Sequence, residues 1–324
     1  MRVWKTAAAA MFAVVAMTSH TLAQADYPNR PITLIVPFSA GGNADNSSRL
    51  IARLLTDKLG QTVVIDNKPG ANGIVGMEIA AAAKPDGYTM LFVSNGQMAI
   101  YPFLYKNRTL DPAKAFTAVR AGASNSYVLV FNPSKPYKTL PEFIEYARKN
   151  PTSINYGSIG NGSPGHLAGE LLQQLTGIKM THVPYRLAPA LSADLLSGVL
   201  DIGFDFAAAM KPNIEAGRVI PIAAAADARI KNLPNLPTFE ELGYPDMKMA
   251  AWGCFLVPAG TPDPIVQKLS AALSDALRSP TMTEFYSIGD SVLLDLSPDK
   301  FPQFLASEQA KMKALIERAG VTAD

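Results

Sequence analysis

Short apolar runs of strand-forming residues alternate with stretches of helical periodicity along most of this 324-residue chain. Such alternation is typical of an α/β fold, in which a mixed, mostly parallel sheet is covered by helices on its faces. The predicted strands are 32–38, 63–66, 88–94, 127–131, 154–157, 180–185, 201–206, 219–225 and 252–257. The predicted helices are 47–59, 74–83, 141–149, 166–175, 189–196, 264–277 and 301–319.

The first residues of the chain have the pattern of a secretory signal peptide. Arg2 and Lys5 supply positive charge, an apolar run follows over 7–17, and residues 23–25 have the A-x-A pattern of a cleavage site. The apolar run is too short to span a bilayer, which needs about 20 residues. We therefore predict export to the periplasm with cleavage after Ala25. A buried N-terminal helix is the alternative.

The predicted elements form two successive α/β units, followed by a late strand and two long helices. Two such units with a returning strand predict a protein of two lobes, with a ligand cleft between them. We expect the chain to cross between the lobes near 122–127 and near Ala250. The predicted organisation is 1–25 signal peptide, 26–125 first part of lobe 1, 126–250 lobe 2, and 251–324 return to lobe 1 with the C-terminal helices.

Charge and cysteine content narrow the possible functions. The formal net charge is only +2 and no cluster of Lys or Arg stands out, which disfavours nucleic-acid binding. The single cysteine, Cys254, cannot form an intramolecular disulfide and lies in an apolar stretch. We expect it to be a buried, unreactive thiol.

Two glycine-rich loops each follow a predicted strand and precede a predicted helix: loop 1 over 37–45 and loop 2 over 157–166. In an open α/β sheet, ligands bind at the carboxyl ends of strands, where helix N-termini present free N–H groups. Neither loop contains Arg or Lys. An anion would therefore be held by backbone N–H groups, by hydroxyls and by the helix N-terminus, which carries roughly half a unit of positive charge. These groups suit a carboxylate better than a polyphosphate. The alternative is that the glycines only satisfy tight turns.

A dinucleotide site is disfavoured, although Gly160, Gly162 and Gly165 spell G-x-G-x-x-G between a strand and a helix. That motif requires an acidic residue at the end of the next strand, and the predicted strand ending at Tyr185 has none there. We predict no cofactor for this chain.

Histidines and serines near loop 2 raise two further alternatives. His166 and Glu170 would share a helix face, as two metal ligands do, but a capping or core role for the histidine is favoured. An exported serine hydrolase would combine Ser158 or Ser163 with His166 or His182, yet neither serine has the full G-x-S-x-G setting. We therefore predict no metal site and no enzyme, and the hydrolase is kept as an outlying alternative.

Asp205 ends a predicted strand that is otherwise apolar. A buried acid needs polar partners. Asp205 is predicted either to order loop N–H groups or accept from a ligand, or to cap a helix that begins near residue 207.

A series of short stretches gives the chain a specific resemblance through their order and spacing. They are Tyr27-Pro28, Pro31-Ile32, Val36-Pro37-Phe38, Gly41-Gly42 with Asp45, Leu59-Gly60-Gln61, Val63-Val64, Asn67-Lys68-Pro69-Gly70-Ala71, Pro85-Asp86-Gly87-Tyr88-Thr89, His166-Leu167-Ala168-Gly169-Glu170, His182-Val183-Pro184-Tyr185, Pro237-Thr238 and Pro258-Ala259-Gly260-Thr261-Pro262. In these stretches the chain resembles the Bug-type (tripartite tricarboxylate transporter) extracytoplasmic solute receptors, over essentially its whole mature length.

The resemblance implies a two-lobed periplasmic binding protein that closes around one small organic carboxylate. It also implies a two-component membrane permease as partner, while some relatives signal to sensor proteins instead. We expect a monomer that binds a mono- or dicarboxylate, aromatic acids included. Carried onto this sequence, the implied ligand-binding residues are Phe38, Ser39, Ala40, Gly41, Gly42, Asn43, Ser94, Asn95, Ser158, Gly160, Asn161, Gly162, Ser163, His166 and Asp205.

The sequence departs from the family pattern beside the expected cleft. Leu187 replaces the glycine that usually follows the H-V-P-Y-basic stretch, and Asn43 occupies a position that varies in the family. We therefore expect the far end of the ligand to be contacted differently in this chain.

Overall fold

The computed structural model describes residues 27–105, 110–185 and 187–322. The predicted signal peptide, with its cleavage site after Ala25, lies outside these residues. The strands are β1 (Ile32–Val36), β2 (Val63–Asn67), β3 (Thr89–Ser94), β4 (Phe116–Phe131), β5 (Asn155–Ser158), β6 (Thr181–Pro184), β7 (Ile202–Phe206), β8 (Ile220–Ala224), β9 (Ala250–Pro258) and β10 (Val292–Leu293). The helices are α1 (Asn43–Leu59), α2 (Ile74–Ala81), α3 (Tyr101–Leu104), α4 (Pro112–Ala115), α5 (Leu140–Lys149), α6 (Pro164–Thr176), α7 (Ala188–Ser197), α8 (Ala207–Glu215), α9 (Asp263–Leu277), α10 (Pro280–Gly289) and α11 (Phe301–Ala319). A 3₁₀ turn (Ala71–Gly73) precedes α2, and a π-helical turn (Gly96–Ile100) precedes α3.

Capping groups determine where several helices begin. Thr139 and Glu142 form a reciprocal capping box at the start of α5, and the Ser163 hydroxyl accepts from the His166 N–H at the start of α6. Helix α1 begins at Asn43, four residues earlier than predicted, because the Asp45 carboxylate accepts from the Gly41 N–H and closes the preceding turn. Asn43 therefore belongs to the first turn of a helix rather than to a loop.

The strands form one path in the order β2-β1-β3-β9-β4-β7-β5-β6, and β8 and β10 also pair with β4. Strands β2, β1 and β3 run parallel, and so do β7, β5 and β6. Strand β9 is antiparallel to both neighbours, and so is β4. We call β2, β1, β3, β9 and β10 the first half of the sheet, and β7, β5, β6 and β8 the second half. Strand β4 contributes to both.

Strand β4 is much longer than the sequence predicts, since only 127–131 has an apolar pattern. Its early part carries Arg120, a charge that argues against a buried strand in the sequence. In the fold, the Arg120 Nε donates to Asp295 Oδ1 at 2.6 Å and its Nη1 donates to the Ser270 hydroxyl at 2.9 Å. The charge is thus paired, which lets residues 116–126 of β4 run beside β9.

Helix α11 contacts both halves of the sheet. Gln309 Nε2 donates to the Met98 carbonyl of the first half, and Gln174 Nε2 of α6 donates to the Leu315 carbonyl. The indole N–H of Trp252 on β9 also donates to the α11 carboxylate of Glu308. One buried apolar cluster accordingly extends from the first half through α11 to the second half. Within the described part of the chain, no helix combines the length and apolar character needed to cross a membrane.

The lobe limits stay a prediction, because a single path of paired strands joins the two halves. Helices α3, α4 and α10 and strand β10 were not predicted, and α8, which begins at Ala207, was predicted only as one of the alternatives for Asp205. For α10 a signal exists in the sequence, since Ser279 caps the helix by accepting from the Met282 N–H and Pro280 follows it. Helix α8 contains Pro212, which argues against a helix on propensity alone.

The Arg120–Asp295 ion pair should be important for stability. Burial raises the pKa of the Asp295 carboxyl, but hydrogen bonds from Arg120 and Arg278 outweigh it and hold that pKa below its usual range. We predict that Asp295→Asn lowers the free energy of unfolding by about 2 kcal/mol, because Arg120 would be left without its counter-charge. Urea unfolding measures the loss. Asp275→Asn, which removes an exposed partner of Lys58, is the matched control and should cost less than about 1 kcal/mol. Equal losses in the two variants would contradict the prediction.

Candidate functional site: a cleft between the two halves of the sheet

The strand register brings the carboxyl ends of strands from both halves to one place. Strand β3 ends at Ser94, opposite Gly253 of β9, and β7 ends at Phe206, opposite Tyr127 of β4. Both ends therefore point toward the part of β4 that passes from one half to the other. Ligands of α/β sheets bind at such carboxyl ends, so a site is expected where they meet.

A cavity of about 630 Å³ occupies this position. From the first half it is lined by the segments that follow β1, β2 and β3, and from the second half by loop 2. The lining residues are Pro37, Phe38, Ser39, Pro69, Gly70, Asn72, Gly73, Ser94, Gly96, Gln97, Tyr101, Tyr105, Ile159, Gly160, Asn161, Gly162, Ser163, Pro164 and Thr322. None of these described residues carries a formal charge.

A second cavity, of about 710 Å³, lies along the crossing strands and is lined by Ser124 and Ser126 of β4, Trp252 of β9 and the segment 225–231. No residue of loop 1 or loop 2 lines it. We place the candidate site in the smaller cavity, because it combines the carboxyl ends of parallel strands with the N-terminus of α6.

Asp45 holds the shape of loop 1. Its side chain is only 2% exposed, and its Oδ2 accepts from the Gly41 N–H at 2.8 Å and from Arg49 Nε at 2.9 Å. Its Oδ1 accepts from Asn67 Nδ2 at 2.9 Å, and the same amide donates to the Phe38 carbonyl. Hydrogen bonds from Arg49, Gly41 and Asn67 lower the pKa of the Asp45 carboxyl to about 2. The Gly41 N–H is thus used within the loop and does not face a ligand.

Two histidines hold loop 2 from below. The Gly162 N–H donates to His166 Nδ1 at 2.9 Å, and His182 Nε2 lies 2.7 Å from the Ser158 hydroxyl. That hydroxyl also accepts from the Gly160 N–H at 3.2 Å. The two imidazole rings stack with their centroids 3.9 Å apart. Ser158 and His166 therefore lie buried beneath the loop, where they fix its shape and do not line the cavity.

The histidine pair is neutral at neutral pH. Burial and the neighbouring His166 ring lower the pKa of His182 from 6.5 to about 4. Burial also lowers the pKa of His166, an effect that Glu170, with its Oε1 3.8 Å from His166 Nε2, partly opposes. Because Nδ1 of His166 accepts from Gly162, its proton is assigned to Nε2, which faces Glu170.

The segments after β2 and β3 are joined by a chain of hydrogen bonds. The Ser94 hydroxyl donates to Gln97 Oε1 at 2.6 Å, and Gln97 Nε2 donates to the Asn72 carbonyl at 2.8 Å. Asn72 Nδ2 in turn donates to the Tyr105 hydroxyl at 2.6 Å. Asn95 instead donates to the Ala250 carbonyl of β9, which ties the π-helical turn to the sheet.

Loop 2 touches the first half directly at Gly162. This residue has φ +71°, and a Cβ built on it would lie 2.2 Å from a methyl group of Leu104. Only glycine satisfies both the backbone conformation and the close approach. The two halves are therefore in contact across the cavity at this point.

The structure brings seven of the predicted ligand-binding residues to the cavity: Phe38, Ser39, Ser94, Gly160, Asn161, Gly162 and Ser163. The other residues of loop 1, Ala40 to Asn43, are exposed beyond the cavity. Asn95, Ser158 and His166 lie beneath it. Asp205 is absent from the lining: its Oδ1 accepts from the adjacent Phe206 N–H, burial raises the pKa of its carboxyl, and the N-cap of α8 is Phe206 itself.

Sequence reasoning missed the segment after β2, the tyrosines after the π-helical turn, and Gln97, Ile159, Pro164 and Thr322. The segment after β2 obeys the same rule as loops 1 and 2, because it follows a parallel strand and contains Gly70 and Gly73. The sequence therefore contained a signal for this third loop. Tyr101 and Tyr105 follow a turn without regular periodicity, and no sequence pattern points to them.

The chain has the mixed α/β fold of periplasmic binding proteins, with a cavity between the two halves of its sheet. The chain belongs to the tripartite tricarboxylate transporter family of receptors, whose family model matches residues 48–321. The family is one of solute-binding receptors and not of enzymes. The predicted family, α/β binding-protein fold and receptor class are therefore confirmed.

Relatives resemble the chain over nearly all of its length. A UPF0065 protein from the ttuE–ttuC′ intergenic region of Agrobacterium vitis is 35% identical over 302 residues, covering 92% of this chain and 87% of that protein. The structure of the periplasmic binding protein BugD is 31% identical and has a TM-score of 0.76, covering 91% of this chain and 99% of that one. An R. palustris protein solved with adipate is 34% identical and has a TM-score of 0.79, covering 92% and 99%.

The low pKa of His182 predicts a stability that falls with acidification. The unfolded chain binds a proton near pH 6.5, whereas the folded chain does so only near pH 4, so stability is full above 6.5 and is lost as the pH falls toward 4. We predict that the thermal midpoint of the His182→Gln variant falls less than that of the unmodified protein across this window. Differential scanning calorimetry at several pH values measures it. Identical pH profiles for both proteins would show that His182 does not titrate as the fold implies.

The Asp45 network predicts a local defect in loop 1. Asp45→Asn leaves one neutral acceptor oxygen for three donors, from Gly41, Arg49 and Asn67, and turns an NH2 group toward them, so the Gly41 N–H is held less firmly. We expect hydrogen exchange at Gly41 to become faster by about tenfold or more, while exchange in β1 changes little. NMR of the amide signals measures both. Asp57→Asn, on the exposed side of the same helix, should leave Gly41 exchange unchanged; a similar effect there would refute the specific role of Asp45.

Proposed function

We propose that this chain is an exported periplasmic receptor that captures a small organic carboxylate by lobe closure. The captured acid is delivered to a two-component membrane permease of the tripartite tricarboxylate type. The proposal includes the predicted lobe limits, with residues 26–125 and 251–324 in lobe 1 and 126–250 in lobe 2, and removal of the signal peptide after Ala25.

One observation carries the proposal: polar side chains from both halves line one cavity and have no hydrogen-bond partner among the described residues. Ser39 of loop 1 and Asn161 of loop 2 both line it, and neither has a hydrogen-bond partner within the described residues. The Ser163 hydroxyl accepts from the His166 N–H, so its own proton remains to be donated. A carboxylate accepts up to four such bonds and would satisfy donors from both halves at once.

The N-terminus of α6 adds a favourable field at the same place. The helix begins at Pro164, which lines the cavity beside Ser163. A helix start carries about half a positive charge, which favours an anion over a neutral solute. The R. palustris relative solved with adipate supports an acid as the ligand. Closure follows because donors of both halves bind the same ligand, so the ligand stabilises the closed state over the open one.

The proposal is tested by a thermal-shift and calorimetric screen of the mature chain against small carboxylic acids, with the matching primary amides as controls. A bound acid at 100 times its dissociation constant should stabilise the folded protein by about 2.7 kcal/mol, and its amide should have little effect. We expect Asn161→Leu to weaken binding of the best acid by about tenfold or more, through loss of a donor. Asn235→Leu, at an exposed position outside the cavity, is the control and should bind normally. Equal binding of acids and amides would refute carboxylate capture.

A further inference from the structure

We infer that the receptor selects monocarboxylic acids whose other end is apolar, aromatic acids above all. This inference rests on the proposed function and narrows its ligand class. It comes from the apolar side chains that line the same cavity as the polar groups of loop 1 and loop 2.

An exposed isoleucine is the first observation. Ile159 lines the cavity with 61% of its surface exposed, although it directly follows the buried end of β5. The neighbouring position in the loop, Gly160, adopts φ +116°, so the turn geometry belongs to the glycine and does not require a large side chain before it. The fold leaves most of the Ile159 surface in water, and an apolar ligand group that covers it would remove that surface from water.

Aromatic and proline side chains are the second observation. Tyr101 and Tyr105 line the cavity with their rings in edge-to-face contact, 5.2 Å between centroids, and Phe38 and Pro69 also line it. Such rings offer faces and edges on which a flat apolar group packs well.

The contact between the halves brings these two surfaces together. Gly162 of loop 2 lies against Leu104 at the end of α3, and Tyr101 lies one turn earlier in that short helix. Ile159 precedes Gly162 by three residues in the same loop. A ligand whose carboxylate reaches Ser39 and Asn161 would therefore have its remaining atoms in a cavity that Ile159 and the two tyrosines also line.

Charge distinguishes the two ends of such a ligand. The polar donors of the cavity suit one carboxylate, whereas the described lining around Ile159 and Tyr101 contains no cationic side chain. A second carboxylate placed there would lose hydration without gaining a counter-charge from the described lining residues, which is unfavourable. Adipate carries a carboxylate at each end, so this receptor should differ in preference from the relative solved with that acid.

The experiment compares acids that differ only in the second carboxylate. Hexanoate is compared with adipate, and phenylacetate with its para-carboxylated derivative, by isothermal titration calorimetry on the mature chain. We expect each monocarboxylate to bind at least about tenfold more tightly than its dicarboxylate partner, and phenylacetate to bind more tightly than hexanoate.

Variants at Ile159 test the location of the apolar end. Ile159→Lys should weaken phenylacetate by about tenfold and strengthen adipate, because it places a cation where the second carboxylate would lie. Val199→Lys is the matched control, since Val199 is 59% exposed in the same half of the sheet but does not line the cavity. It should change neither affinity.

The outcomes separate this inference from the proposed function. Tighter binding of the dicarboxylates, with the amides still inactive, would overturn the apolar-end assignment and leave carboxylate capture standing. A response to Ile159→Lys no larger than that to Val199→Lys would also overturn it. If neither acid series binds better than the amides, the proposed function fails and the inference fails with it.

Discussion

The pairing of β4 with β9 determines the rest of the architecture. These antiparallel strands form the middle of the sheet, and β4 continues past its last pair with β9, at Ser126, to join β7 and β8. Because β3 and β7 therefore point their carboxyl ends at the same stretch of β4, the loops of the two halves face each other. The cavity is a consequence of this register. Its position does not depend on the identity of the ligand.

Much of the fold follows from local patterns in the sequence. Parallel strands with continuous apolar runs, such as β1 and β3, and helices with clear caps, such as α5, are predictable because local propensity and burial agree there. The early part of β4 is not, since Arg120 and its neighbours become strand residues only through partners about 150 residues or more away in the chain. Long-range pairs of this kind leave no local signal.

The candidate site also has residues that the sequence predicts and residues that it does not. Phe38, Ser39 and the residues 160–163 are predictable, because a strand followed by glycines and a helix start indicates a ligand loop on elementary grounds. The buried roles of Ser158 and His166 are not, because they depend on His182 from the neighbouring strand. Tyr101 reaches the cavity only through a π-helical turn, a rare element without a characteristic sequence pattern.

In loop 2, the residues that fix the backbone conformation are different from the residues that line the cavity. Ser158, His166 and His182 hold its backbone through the N–H groups of Gly160 and Gly162, and none of these three side chains needs to touch a solute. Ile159 and Asn161, on the outer surface, can then be exchanged while the main chain keeps its course. A receptor built in this way can change its ligand specificity through single substitutions in loop 2, while its fold stays the same.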